Sequence, residues 1–159
     1  MENTINVIHQ CTPLKSSYDN FTANIESKLH HLDPHYADHI VDDPAAVERH
    51  LTSLAGNTGL MLFGVQHHGD LLSILGKSER AKQYVIGNPL VAIQMTQHDI
   101  RAALYAPLRI IVYEGVDKRS YVEYDLPSSL FGQFGNGKVL EVANGLDEKL
   151  LNVIMMADQ

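Results

Sequence analysis

Apolar and polar positions recur along this chain with two different periods, and the period indicates the element that each segment forms. Alternation with a period of two, or a short β-branched run, predicts a strand, whereas apolar residues three and four apart predict a helix. Proline and glycine separate these segments at many points. The predicted strands cover residues 5–12, 60–67, 84–86, 108–113 and 120–124.

Segments with helical spacing lie between the predicted strands. Asp33 and Asp43 are each followed by proline, and both are predicted N-caps, because Asp binds free amide groups and proline fits the first helical position. Gly145 is expected to interrupt the last helix. Helices are predicted after Ser16-Ser17, from Asp33, from Asp43, over residues 90–105 and across the C-terminal region.

The order of these elements predicts an α+β fold. The segments at residues 108–113 and 120–124 are separated by a short glycine-containing loop, which is typical of an antiparallel hairpin. Within this hairpin we expect Ile110, Val112 and Val122 to be largely buried. A length of 159 residues, with no repeat and no linker, predicts a single domain over residues 1–159.

Composition and charge narrow the possible partners. The net charge is -7 and the 12 basic residues are scattered, so we expect no nucleic-acid binding, which requires clustered Lys and Arg. Cys11 is the only cysteine, which excludes an internal disulfide and suits a reducing compartment. The sequence lacks a membrane-length apolar run and a signal-peptide pattern, so a cytoplasmic location without membrane attachment is expected.

Two adjacent histidines, His67 and His68, end the second predicted strand. Neighbouring strand residues point to opposite faces, so at most one of them can enter a given pocket. Both faces of this strand are apolar, and the pattern therefore leaves open which histidine points inward. The pair is either a polar cap on a strand end or a site, because imidazole can serve as metal ligand, haem ligand or general base.

Three further groups of residues are candidates for a site. The loop at Asn88 leads into a predicted helix N-terminus, which favours an anionic ligand group, although a simple turn explains it equally. Met95 and His98 are three apart on a predicted helix and are suitable ligands for copper or haem iron, unless Met95 only fills the core. His35 and His39 have the spacing of a metal-binding pair, but a solvated helix is the favoured interpretation.

Five segments of the chain stand out: His68-Gly69-Asp70-Leu71-Leu72, Ile86-Gly87-Asn88-Pro89, Met95-Thr96-Gln97-His98-Asp99-Ile100-Arg101, Leu104-Tyr105-Ala106-Pro107-Leu108-Arg109 and Tyr124-Asp125-Leu126-Pro127-Ser128-Ser129-Leu130. In order and spacing, these segments resemble the 302 domain-of-unknown-function family. The resemblance is strongest over residues 60–154, with a helical insertion at about residues 17–56. It implies a curved, mostly antiparallel sheet backed by helices on one face, similar to the TATA-binding-protein-like fold, and often a homodimer. It also implies that His68, and not His67, matches the family's histidine before glycine.

These observations favour a protein that binds a small ligand or a cofactor. Its pocket would collect His68, Asn88, Met95 and His98, and haem with His68 as the axial ligand is the most concrete occupant. A transition metal bound by His68, His98 and a carboxylate is a variant of this hypothesis. The alternatives are a small cytoplasmic enzyme that uses His68 as general acid or base, and a homodimeric interaction module without a ligand.

Overall fold

A five-stranded antiparallel sheet forms the centre of the protein, as seen in a computed structural model that describes residues 2–159. The strand order is β1-β5-β4-β3-β2, and each neighbouring pair is antiparallel. Strands β2 to β5 therefore form a meander, while the first strand lies at the edge beside the last. The strands are β1 (His9–Pro13), β2 (Met61–Gln66), β3 (Ala81–Gly87), β4 (Leu108–Glu114) and β5 (Ser120–Asp125).

Within residues 2–159, six α-helices and four 3₁₀ segments connect and cover the strands. Side-chain caps fix where several of them begin: Ser17 accepts from the amide of Asn20, and Asp43 accepts from the amide of Ala46. The helices are α1 (Tyr18–Lys28), α2 (Pro44–Ala55), α3 (His68–Leu71), α4 (Pro89–Thr96), α5 (Pro127–Phe131) and α6 (Gly137–Ala157). The 3₁₀ segments are Gly56–Thr58, Leu72–Leu75, Ile100–Tyr105 and Gly132–Phe134.

The two faces of the sheet differ because strand residues alternate in direction. One face packs against α1 and α6 in a common core with β4 and β5. The predicted burial of Ile110, Val112 and Val122 is confirmed, since these side chains are 1%, 0% and 0% exposed. The intervening residues Arg109 and Ile111 are exposed or partly exposed. The predicted α+β class, with a mostly antiparallel sheet and helices packed against it, is therefore confirmed.

Two of the predicted helices differ in the structure. The helix expected over residues 90–105 divides into α4 and a 3₁₀ segment, because the Asp99 carboxylate accepts from the amide of Arg101 and starts a new turn. Gly145 does not interrupt α6, which runs unbroken from Gly137 to Ala157. The apolar side chains that α6 buries against the core outweigh the cost of one glycine, about 1 kcal/mol.

The helix predicted from Asp33 does not form. Asp33 accepts from the amide of His35 as a cap would, but residues 34–42 form successive turns with amide-to-carbonyl bonds three residues apart. His35 and His39 pair with Asp38 and Asp42 at the surface. This segment is therefore a solvated run of turns that leads into α2.

Gly69 marks a close approach between two backbone segments. A Cβ atom at this position would lie 2.2 Å from the carbonyl oxygen of Glu79 and 2.7 Å from the amide nitrogen of Ala81. The start of α3 thus packs directly on the backbone that enters β3. Only a residue without a side chain fits there.

Candidate functional site

An apolar cavity of about 160 Å³ lies where β3 leads into α4 and where β4 begins. Its walls come from four parts of the chain: the turns before α2, strand β2, the segment from β3 into α4, and the segment that enters β4. Side chains of α5 and α6 complete the lining. The lining residues are Tyr36, Phe63, Gly87, Asn88, Pro89, Val91, Ala92, Met95, Ala106, Pro107, Leu108, Phe131 and Leu146.

The volume of this cavity restricts its occupant. An engineered protein cavity of about 150 Å³, lined by apolar side chains, stays dry and binds benzene. Pockets for drug-sized ligands are larger, at about 300–1,000 Å³. A cavity of about 160 Å³ therefore suits a small apolar group and is too small for a haem macrocycle.

Asn88 lines the cavity, but both ends of its side-chain amide are already bound. Its Oδ1 accepts from the amide of Leu90 at 2.8 Å, which caps α4, and its Nδ2 donates to the carbonyl of Gly59 at 3.0 Å. The amide thus ties the start of α4 to the loop before β2. Its hydrogen-bonding groups serve the fold and are not directed at a ligand.

Met95 and His98 were predicted to share one helix face, and the structure separates them. Met95 is 1% exposed, lies in α4 and lines the cavity. His98 follows the end of α4 and has an exposed side chain outside the cavity lining. The early end of α4 removes the helical spacing on which the paired-ligand interpretation depended.

His68 lies at the opposite end of the sheet from Asn88. Strand β2 pairs with β3 so that Met61 faces Gly87 and Gln66 faces Gln83. Residues that follow Gln66 are therefore separated from Asn88 by the length of the strand, about 17 Å. The structure does not bring His68, Asn88, Met95 and His98 into one pocket. Because β2 and β3 are antiparallel, the residues that follow β2 and those that follow β3 lie at opposite ends of the sheet.

Both histidines of the pair at residues 67 and 68 are exposed, so neither points into the core. His67 lies 3.3 Å from Asp70, Nδ1 to Oδ2, at the start of α3. Within residues 2–159 no group of three or more His, Cys, Asp or Glu side chains is arranged to bind a metal ion. The metal site predicted at His68 therefore has no set of neighbouring ligands in the part of the chain described.

A polar network on the other face of the sheet joins β1 to β5 and β4. The imidazole of His9 lies 2.9 Å from a carboxylate oxygen of Glu123 and 2.9 Å from one of Asp125. Cys11 Sγ donates to Glu123 at 3.3 Å, and the hydroxyl of Tyr113 donates to the same carboxylate. Glu123 is thus the centre of the network and accepts from three side chains.

The ionisation of these groups follows from their contacts. The hydrogen bond from Tyr113, followed by that from His9, lowers the pKa of Glu123 below its usual value. Hydrogen bonds to Asp125 and then Glu123 raise the pKa of His9, and the bond to Glu123 raises the pKa of Cys11. Because the nucleophile is the thiolate, a raised pKa disfavours the reactive form of Cys11. The hydrogen bonds of the network link β1, β4 and β5.

The sequence did not reveal this network. His9 and Glu123 come together only through the register of β1 on β5, in which His9 faces Asp125 and Cys11 faces Glu123. Period-two alternation places His9 and Cys11 on one side of their strand, and Glu123 and Asp125 on one side of theirs. That shared parity is the signal that the sequence contained, but it does not say which strands pair.

The fold and the cavity define a small α+β domain, with an antiparallel sheet covered by helices and an apolar cavity at one end. Within residues 2–159, no helix is both long enough and apolar enough to span a membrane. A family model described as domain of unknown function DUF302 matches residues 38–157, and the chain belongs to that family. The match begins before α2, so this helix lies inside the matched region.

A solved structure is similar along nearly the whole chain. It is the crystal structure of an uncharacterized conserved DUF302 protein from Bacillus stearothermophilus, with a TM-score of 0.66 and 12% sequence identity. The similarity covers 94% of this chain and 97% of that one. At this identity it establishes a shared fold alone. No curated protein matches the sequence.

Proposed function

We propose that this protein binds a small, mostly apolar ligand in the cavity beside α4. The observation that supports this proposal is the combination of an apolar lining with a concave volume of about 160 Å³ that is partly open to solvent. Its principal polar side chain, Asn88, already has partners for both ends of the amide. Ligand affinity would therefore come from apolar burial, at about 0.8 kcal/mol for each methylene group removed from water.

Tyr36 brings a second polar side chain to the lining of the cavity. The Tyr36 side chain lines the cavity and is partly buried, and its hydroxyl makes no hydrogen bond to another residue between 2 and 159. A ligand with a single hydroxyl or carbonyl group could use it without displacing an existing contact. This fits the pattern of ligand pockets, in which a few polar groups orient a mainly apolar molecule.

Titration with benzene, followed by ¹H–¹⁵N NMR, tests this proposal. Saturable shifts are expected at the amides of Ala92 and Met95. Val91→Phe puts an aromatic ring into the cavity and should abolish these shifts, whereas Val116→Phe in the exposed β4–β5 loop should leave them unchanged. Circular dichroism checks that Val91→Phe is folded, and Ala106→Leu is a second filling variant. The absence of saturable shifts in the parent, or their survival in a folded filling variant, would contradict the proposal.

Haem remains a prediction that this cavity does not support. Its macrocycle exceeds the available volume, and His68 lies at the other end of β2. A His68-dependent Soret shift on titration with haem would favour a separate surface site, with His67→Ala as the matched control. A general acid–base role for His68 also stays a prediction.

Two statements about cellular context are likewise proposals. We propose a homodimer, as the family resemblance implies, and light scattering should then give twice the chain mass of 17.7 kDa. We also propose a cytoplasmic location, because the single cysteine, Cys11, is a free thiol and suits a reducing compartment.

A further inference from the structure

An apolar groove of about 360 Å³ lies on the outer side of α4. It runs between this helix and the segment made of the turns before α2 and of α2 itself. Ile40, Val47, Leu51 and Ile93 contribute to its walls. The groove is open to solvent at its rim, where Ile40 is 44% exposed and Ile93 is 57% exposed.

The groove and the inner cavity share a wall. Tyr36, Pro89 and Ala92 line both of them, so the two spaces lie on either side of these three residues. Pro89 and Ala92 are held in the first turns of α4. Tyr36 lies in the run of turns at residues 34–42, so it is the one of these three wall residues that does not belong to α4.

The composition of α4 indicates that its outer side needs a partner. Its sequence, Pro-Leu-Val-Ala-Ile-Gln-Met-Thr, is apolar on nearly all sides, a pattern typical of a buried helix. The inner side covers the cavity through Val91 and Met95, whereas the outer side presents Ile93 to solvent. An occupant of the groove would bury this exposed apolar surface.

We propose that the ligand is a linear aliphatic chain that occupies the inner cavity and the groove together, passing the shared wall at Tyr36. This inference rests on the proposed function of the cavity. A compact ring suits the inner cavity alone, whereas a linear chain could reach past the shared wall and also bury the apolar surface of the groove. Glu48 is the charged side chain in the groove lining, so an uncharged head group suits this mouth better than a carboxylate.

Calorimetric titration with 1-butanol, 1-hexanol and 1-octanol tests the proposal. Affinity should rise about fourfold for each added methylene up to octanol, since the chain continues to bury apolar surface beyond the inner cavity. Ile93→Glu places a charge in the groove and should remove most of the roughly fifteenfold gain between hexanol and octanol. The affinities of Ile93→Glu for 1-butanol and for benzene should equal those of the parent protein.

Ile100→Glu is the matched control, because Ile100 is exposed and lies outside the lining of both spaces. Ile100→Glu should retain the full gain in affinity between hexanol and octanol. Equal affinity for hexanol and octanol in the parent, or an equal gain in Ile93→Glu, would overturn the linear-chain inference. Saturable benzene binding would then still support the inner cavity, so the two proposals fail separately.

Discussion

The hydroxyl of Tyr84 donates a 2.8 Å hydrogen bond to the carboxylate of Glu26, which joins strand β3 to helix α1 beneath the sheet. Lys82 Nζ approaches the same oxygen at 2.8 Å. Burial raises the pKa of Glu26, but the bonds from Lys82 and then Tyr84 outweigh this effect and the net pKa is lowered. Tyr84 is fully buried, and Glu26 is therefore the partner that allows a hydroxyl in the core.

Tyr84→Phe should destabilise the protein by about 1–2 kcal/mol, because it removes a hydrogen bond to a charged group while the ring still fills the core. The measurement is the free energy of unfolding in urea. Tyr121→Phe is the matched control, since the Tyr121 hydroxyl donates to Asp117 at the surface and its loss should cost little. Equal losses in the two variants would contradict a structural role for the Tyr84–Glu26 contact.

The contacts of His9 predict a pH dependence of stability. Its pKa in the folded protein is raised above 6.5 by the hydrogen bonds to Asp125 and Glu123. A raised pKa means that the folded state binds the proton more tightly, so this contribution is complete below the unfolded pKa and is lost as pH rises through the folded pKa. The unfolding free energy of the parent should therefore fall relative to His9→Gln as pH increases above 6.5. Parallel pH profiles would count against this assignment.

Gly69→Ala should destabilise the protein by about 3 kcal/mol, at the upper end of the range for overpacking, because the atoms nearest to the new methyl group are backbone. Gly64→Ala is the control: it lies in β2, and an added Cβ meets nothing within 4 Å. Thermal unfolding of the two variants measures the difference. A similar midpoint in both would mean that the backbone contact at Glu79 can relax freely.

Gly145→Ala should stabilise the protein by about 0.5–1 kcal/mol. The residue lies in the interior of α6, and a Cβ there has open space around it, so the change removes the entropic cost of glycine without a clash. Urea unfolding of this variant against the parent tests the value. Destabilisation would indicate that α6 needs the glycine for a reason other than helix propensity.

Segments whose own residues determine the element that they form could be predicted from the sequence. Strands β4 and β5 are rich in β-branched and aromatic residues and are joined by a short loop, and the Asp43-Pro44 cap begins α2 as expected. The sequence pattern predicts the first strand at residues 5–12, but β1 runs from His9 to Pro13, because its limits are set by pairing with β5. Local pattern contains no information on that distant partner.

Only the part of the candidate site that is local in sequence could be predicted. Asn88 and Met95 do line one cavity, since they lie close together in sequence at the start and end of one short helix. The sequence also predicts His68 in this pocket, but successive antiparallel strands end at opposite ends of the sheet, so the residues that follow β2 and β3 lie apart. Tyr36 was not predicted as part of the cavity, because it lies in irregular turns whose course depends on tertiary contacts.

The position of β1 beside β5 has a consequence for synthesis on the ribosome. His9 and its partner Asp125 are separated by 116 residues, and at about 5–20 residues per second translation of that interval takes roughly 6–23 s. Meanwhile β2, β3 and β4 can pair with their neighbours in the order in which they are made. The strand that leaves the ribosome first is thus the last to join the sheet.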